Sequence, residues 1–365
     1  MSSTEERNAK VRQALDALYE KAINAGVEID ESAYKASLDK LFSTTAWGFR
    51  EILLVVIIAM KLDHSFRAST GLYDCNPRAI YEGPIKEFFI EKDIPHRKSG
   101  PLNVAKATIG LDETWAAQRR PSGVAEEVVH LVKFMEDPDY NLERIDNVGT
   151  SLMRRLISYS HSLTALSVKV TPSEDPNFIY HLCYELITKA PDSGNTPQKI
   201  IAFLLKNYHF FFETGVEVTG GDDRASVTST TSKKPGDINE ERAGYIYKVY
   251  EVTVKAFDIA RIRDSYDCIS TYNATYGTNI NEVVVICRSE DCPSEMETSN
   301  LYGYLGYYNY QNVIYYYCDI FEWISNLLQH MTPDARKGFY SSLNDYINEI
   351  NTSESVKRLW KELHN

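Results

Sequence analysis

The chain has 365 residues, enough for two domains at roughly 150 residues each. Its composition, 43% hydrophobic and 25% charged, is that of an ordinary globular protein and excludes general disorder. With 39 Lys and Arg against 51 Asp and Glu, the net charge of −12 excludes a surface coated in basic side chains, although a local basic groove can still set its own field.

The first 25 residues carry Glu5, Glu6, Arg7 and Lys10 and read as a charged helix, not as a secretory signal. Val11, Leu15, Leu18 and Ala22 recur at helical spacing, with Gly26 as a stop. Tyr34, Leu38 and Leu41 share one face of a second helix over 31–42. The nine apolar residues from Ile52 to Met60 are too few for a bilayer span, which takes about 18. They read as the buried part of a core helix over 44–63. Helices are predicted over 122–136, with Ser122 as cap, and over 150–169, 175–190 and 196–212, the last with Thr196 as cap and Pro197 in its first turn. Residues 219–236 are polar, rich in Gly, Ser and Thr, and read as a loop. A strand follows over 245–257, a helix over 258–272, and strands over 282–288 and 311–318. Three helices close the chain, over 319–331, 333–350 and 353–363. Strand, helix and buried strand in succession predict a parallel βαβ unit. The six cysteines (75, 183, 268, 287, 292 and 318) are too sparse for a disulfide scaffold and read as reduced thiols of a cytoplasmic protein.

The stretch that carries chemistry is Lys233-Lys234-Pro235-Gly236-Asp237, followed by Glu251-Val252-Thr253-Val254-Lys255. Alternation along a strand predicts Glu251, Thr253 and Lys255 on one face. Asp237 lies 14 residues before Glu251, room for a short strand and a turn that return beside it. Two carboxylates on adjacent strands can hold Mg²⁺ through oxygen ligands, and a cation on the same face can stabilise charge on a phosphate. Arg97, Lys98 and Lys106 lie within 94–106 with no acid among them, a segment suited to phosphates or guanine edges. Arg119-Arg120 and Arg154-Arg155 are weaker basic pairs. Arg261 and Arg263 either face DNA or pair with Asp264 and Asp267. Eight tyrosines between 302 and 317 suit strand or interface packing. His130, His161 and His181 read as core or surface residues. No phosphate-binding glycine loop or GxSxG motif is present.

The acid pair resembles that of the PD-(D/E)XK nucleases, whose metal-binding acids sit on adjacent core strands. The resemblance extends to the SacI-like type II restriction endonucleases. It rests on Pro235-Gly236-Asp237, Glu251 and Lys255, and on upstream blocks at Tyr73-Asp74, Pro77-Arg78-Ala79-Ile80 and His96 to Asn103. The superfamily pattern places a lysine two residues after the acid, where this chain has Thr253. Either Thr253 contributes an oxygen while Lys255 supplies the cation, or the site is degenerate.

The resemblance implies an α/β or α+β fold: a PD-(D/E)XK-type mixed-sheet nuclease core over 216–365, with C-terminal helices, and a large helical, DNA-contacting region over 1–215. It implies Mg²⁺-dependent cleavage of both strands of duplex DNA by a homodimer, with a DNA methyltransferase as functional partner. Asp237 and Glu251 would bind the metal, with Thr253 and Lys255 completing the catalytic set. Arg78, Arg97, Lys98, Asn103, Lys233 and Lys234 would contact DNA. The alternatives are an inactive DNA-binding protein of the same fold and a helical protein-interaction module.

Overall fold

The computed structural model describes residues 3–97, 101–137, 141–221 and 234–365. The chain divides into two compact units, Met1–Ala165 and Leu166–Asn365. The change of composition near 215 therefore falls inside the second unit, where two helices that precede it belong with the sheet.

The first unit is helical. Its main elements are α1 (Ser3–Ile23), α2 (Lys35–Phe42), α3 (Gly48–Leu62), α4 (Ser122–Glu136) and α5 (Leu142–Thr164). Val11, Leu15 and Leu18 are fully buried, as their spacing predicts. Every residue of α3 from Gly48 to Met60 is buried, including Arg50 and Glu51. Both of those charges have partners, as buried polar groups require. Arg50 donates through Nε to the Leu41 carbonyl at 2.9 Å and lies over the rings of Phe42 and Tyr159. Glu51 accepts from the Tyr81 hydroxyl at 2.7 Å and from the Arg97 backbone N–H at 2.9 Å. Helix α5 begins well before residue 150 because Asn141 caps it, accepting from the N–H groups of Glu143 and Arg144. Gly149 lets α5 approach closely: a Cβ there would lie 2.9 Å from Ile57 and 3.0 Å from Leu18. Ser122 is not a cap; it is the first residue of α4, and Pro121 precedes it without a side-chain bond.

The second unit has α6 (Pro176–Lys189) and α7 (Asn195–Phe211), then β1 (Glu217–Thr219), β2 (Ile238–Arg242) and β3 (Tyr245–Val252). These are followed by α8 (Ile259–Tyr276), β4 (Glu282–Cys287), β5 (Glu297–Thr298), β6 (Tyr304–Tyr310) and β7 (Val313–Asp319). The chain ends with α9 (Ile320–His330), α10 (Pro333–Asn348) and α11 (Glu354–Leu363). Thr196 lies inside the first turn of α7 and does not cap it; its hydroxyl donates to the Ala190 carbonyl at 2.9 Å.

The strands form one mixed seven-stranded sheet in the order β1-β2-β3-β4-β7-β6-β5. Strands β3, β4 and β7 are mutually parallel, and the outer pairings are antiparallel. Helix α8 is the crossover between β3 and β4, so the predicted βαβ unit is present. Ile238, Tyr250, Val252 and Ile286 face the core built with α6, α7, α9, α10 and α11. Val249, Val283, Val285, Tyr315 and Tyr317 face the core built with α8. The tyrosine-rich segment is the β6–β7 hairpin, with Tyr315 and Tyr317 buried and Tyr302 exposed beyond it.

The β2–β3 hairpin turns through Ala243 and Gly244, both at positive φ (51° and 83°), as a tight two-residue turn demands. Glu241 pairs with Ile246 but Glu240 pairs with Lys248, so Tyr247 is an extra residue on β3, a β-bulge. Glu240 is buried with both carboxylate oxygens hydrogen-bonded: it accepts from Tyr250 at 2.7 Å, Tyr247 at 2.9 Å and His209 at 3.2 Å. At the far end of the chain, buried Lys357 donates from Nζ to the Ile347 carbonyl at 2.7 Å. No helix among the described residues is long and apolar enough to cross a membrane.

Candidate active site

Strand β3 stops at Val252. Thr253 adds one more bond to the parallel ladder, its N–H donating to the Ile286 carbonyl at 3.0 Å. The chain then turns. The Thr253 hydroxyl accepts from the Lys255 N–H at 3.1 Å and from Arg261 Nη1 at 2.6 Å, and donates to the Lys255 carbonyl at 2.9 Å. One donor and two acceptor positions are thereby used, so this hydroxyl is saturated.

The turn corrects the expectation that Lys255 shares a strand face with Glu251. Lys255 is exposed beyond the strand, and its ammonium makes no ion pair or hydrogen bond among the described residues. The alternation argument assumed a strand that continued to 257. A threonine with its side chain bonded two residues ahead breaks the ladder instead.

The two acids meet as predicted. Asp237 immediately precedes β2, and its Oδ2 accepts from the Val252 N–H at 3.0 Å. Gly236 makes this approach possible: a Cβ there would lie 2.4 Å from Val249 Cγ1 and 2.9 Å from the Tyr250 carbonyl oxygen. The Asp237 carbonyl is held from α7, where Gln198 Nε2 donates to it at 3.4 Å. Glu251, 6% exposed, accepts at Oε1 from the Ser265 hydroxyl at 3.0 Å. The Asp237 and Glu251 carboxyl groups face one another within hydrogen-bonding range.

Burial, and then the charge of Asp237, push Glu251 well above the usual carboxylate range. Burial likewise raises Asp237. The positive charge of Arg261 opposes both shifts without cancelling them. Both effects favour a proton held between the two close carboxyls when no cation is bound.

Arg261 and Ser265 stand one helical turn apart on α8, so they project from the same face of the helix. The start of α8 is set by Asp258, whose side chain accepts from the Arg261 N–H. The Arg261 guanidinium lies over the Phe257 ring at 4.7 Å. Of the two options weighed for Arg261, neither Asp264 nor Asp267 is its partner; it bonds Thr253. Ser265 was not anticipated. The i,i+4 pairing of an arginine and a serine just after the acidic strand is the signal that would have found it.

The expected DNA contacts are placed as follows. Arg78 pairs with Glu82 at 3.1 Å on the surface of the first unit. Arg97 is half-buried, donating from Nη2 to the Thr45 carbonyl at 2.9 Å. Asn103 is exposed in a short helix, Leu102–Ala105. Lys234 is half-buried. Lys98 and Lys233 lie outside the described residues. The other basic pair, Arg154 and Arg155, is used inside the first unit. Arg154 reaches the Val27 carbonyl at 2.5 Å, and Arg155 pairs with Glu31 and Asp39 at 2.7 and 2.8 Å.

Among the described residues no three His, Cys, Asp or Glu side chains gather as a metal site. Asp237 and Glu251 supply two carboxylates. The chain matches no known protein-family model and no curated protein.

Proposed function

We propose that this protein is a type II restriction endonuclease that cleaves both strands of duplex DNA by metal-dependent phosphodiester hydrolysis. The observation that carries the reading is the buried pair Asp237 and Glu251 on neighbouring antiparallel segments, held by the Val252 N–H and the Ser265 hydroxyl, with a guanidinium beside it. Burying two carboxyls together costs stability unless a cation compensates them. The arrangement of Ser265, Gly236 and Arg261 around the pair supports a site that takes further positive charge. A mixed sheet with one acid on β3 and the other just before the neighbouring strand β2 also accords with the PD-(D/E)XK resemblance.

The donor set fits a hard divalent ion such as Mg²⁺, which takes oxygen ligands and keeps several waters when only one or two carboxylates hold it. Bound there, the ion would supply a Lewis acid against the phosphate and a more acidic water. The residues do the rest. Asp237 and Glu251 would give up their shared proton on binding the ion. Ser265 orients the Glu251 carboxylate, and the Val252 N–H orients that of Asp237. Arg78, Arg97, Lys98, Asn103, Lys233 and Lys234 are the proposed duplex contacts. A two-fold dimer would place one site on each strand of a palindromic target. A cytoplasmic location and a methyltransferase that protects the host target complete the proposal.

Two observations favour a second reading. Lys255 is off the acid face and the Thr253 hydroxyl is saturated, so an inactive DNA-binding protein of the same fold is the alternative. The test is incubation with plasmid and phage DNA and Mg²⁺, scored for discrete bands, with an empty-vector preparation and Glu251→Ala as controls. Discrete bands from the wild-type chain alone support cleavage. Duplex binding without bands, and without Mg²⁺ binding in a titration, supports the inactive protein. Cleavage by Glu251→Ala equal to wild type rejects the site.

A further inference from the structure

We infer that Arg261, and not Lys255, is the cation of this site and contacts the phosphate that undergoes hydrolysis; the inference rests on the phosphodiesterase reading. Four observations meet at this side chain. Its Nη1 is fixed 2.6 Å from the Thr253 hydroxyl, at the end of the strand that carries Glu251. Its guanidinium plane is held by the Phe257 ring 4.7 Å away. It shares a helix face with Ser265, which grips Glu251 at 3.0 Å. Finally, Nη1 is the only guanidinium nitrogen with a hydrogen bond among the described residues, so Nε–H and the Nη2 hydrogens are open to a ligand.

That combination selects an anion with paired oxygens. A guanidinium fixed on one side presents its remaining N–H donors as a fork, which matches two non-bridging phosphate oxygens better than a single oxygen does. Without a metal the acid pair, which keeps one negative charge when it shares a proton, disfavours an anion. Arg261 thus binds a phosphodiester only together with the cation that the acids hold. Saturation of the Thr253 hydroxyl also acquires a reason: it anchors the arginine. Lys255, exposed past the turn, has no such anchor.

The test compares Arg261→Ala, Arg261→Lys and Lys255→Ala in the full-length protein, using the duplex that the wild-type chain cuts. Arg261→Ala should lower kcat by about 100-fold, the scale for removing one donor aimed at developing charge. It should change KM for the duplex much less. Millimolar guanidinium should restore part of the rate to Arg261→Ala, which a purely structural loss would not permit. Arg261→Lys should retain an intermediate rate, and Lys255→Ala should stay within about threefold of wild type. Cleavage by Arg261→Ala within about threefold of wild type overturns the inference, as does an equal loss in Lys255→Ala. A second readout needs no activity. With Mg²⁺ present, inorganic phosphate should bind Lys255→Ala as it binds the wild type, and Arg261→Ala at least about tenfold more weakly. If the wild-type chain cuts no duplex, the phosphodiesterase reading fails on its own, and phosphate binding that is equal in the wild type and Arg261→Ala then removes Arg261 as the site's cation too.

Discussion

Replacing Gly236 with alanine should damage the acid pair without touching either acid. The added Cβ would sit 2.4 Å from Val249 Cγ1, whereas ordinary contact begins near 3.4 Å, so something must yield by about 1 Å. Val249 is fully buried against α8 and cannot swing away freely. The second contact, 2.9 Å from the Tyr250 carbonyl oxygen, is with backbone in the sheet. The residue that moves is therefore Asp237, away from the Val252 N–H and from Glu251. Overpacking of this size costs about 1–3 kcal/mol. For a unit of this size that is a drop of about 2–4 °C in melting temperature per kcal/mol. A displacement of about 1 Å at a reacting centre costs about 100-fold in rate. Thermal melts and Mg²⁺-dependent cleavage measure the two effects separately. Combining Gly236→Ala with Val249→Ala removes the tighter contact, so the double variant should melt higher than the sum of the two single losses predicts. A Gly236→Ala protein with wild-type melting and wild-type cleavage would refute the claim that this glycine sets the spacing.

Three further outcomes are expected. Glu251→Gln should raise the melting temperature of the metal-free protein at neutral pH. Because the native value of Glu251 lies above its unfolded one, the native state holds the extra proton, and wild-type stability falls as pH rises from about 4.5 through the raised value. The variant should lose that slope and the stabilisation by Mg²⁺; an unchanged pH slope in the melts would count against the proton-sharing pair. Burial pulls Lys357 down to about 8, so the unfolded chain binds more protons between there and 10.5, and stability rises with pH across that window by at most about 3 kcal/mol. Lys357→Met should flatten the rise and melt higher at pH 7, and parallel pH profiles for the two proteins would contradict the reasoning. Thr253→Val strips an acceptor from Arg261 and from the Lys255 N–H, so it should both melt lower, by about 1–3 kcal/mol, and cut more slowly; loss of neither would show that the threonine anchors nothing.

Much of the second unit was legible in the sequence. Tyr245 to Val252 reads as a strand because β-branched and aromatic residues crowd it, and the run Val283 to Ile286 reads as a buried parallel strand for the same reason. The 14-position separation of Asp237 and Glu251 was enough to place the acids side by side. Strand β2 was legible only as room for a short strand before Glu251, because Asn239, Glu240, Glu241 and Arg242 carry no apolar alternation. Glu240 is buried there because two tyrosines of the next strand and a histidine of α7 hydrogen-bond its carboxylate. Tertiary hydrogen bonds overrode local polarity. The placement of Lys255 failed because strand length is set by the partner strand and the turn, and alternation carries no information on where a strand ends. Arg261 lay in view, but its partner is a hydroxyl eight residues back across a turn, not a carboxylate on its own helix.

The extra residue in β3 has a further consequence, visible by counting. From the turn, Arg242 faces Tyr245 and Glu241 faces Ile246. Were that register to run on, Ile238 would face Val249 and Asp237 would face Tyr250. Opposed residues of an antiparallel pair point to the same side, so Asp237 would then share a side with Tyr250, and Glu251 would emerge on the other side of the sheet. Insertion of Tyr247 shifts the count by one. Ile238 meets Tyr250 instead, and one step further Asp237 falls opposite Glu251, on the side covered by α8. The two carboxyls are neighbours by virtue of a single unpaired tyrosine that lies on neither side of their contact. Excising that one residue would leave every acid, the arginine and the serine in the chain and still separate Asp237 from Glu251 by the thickness of the sheet.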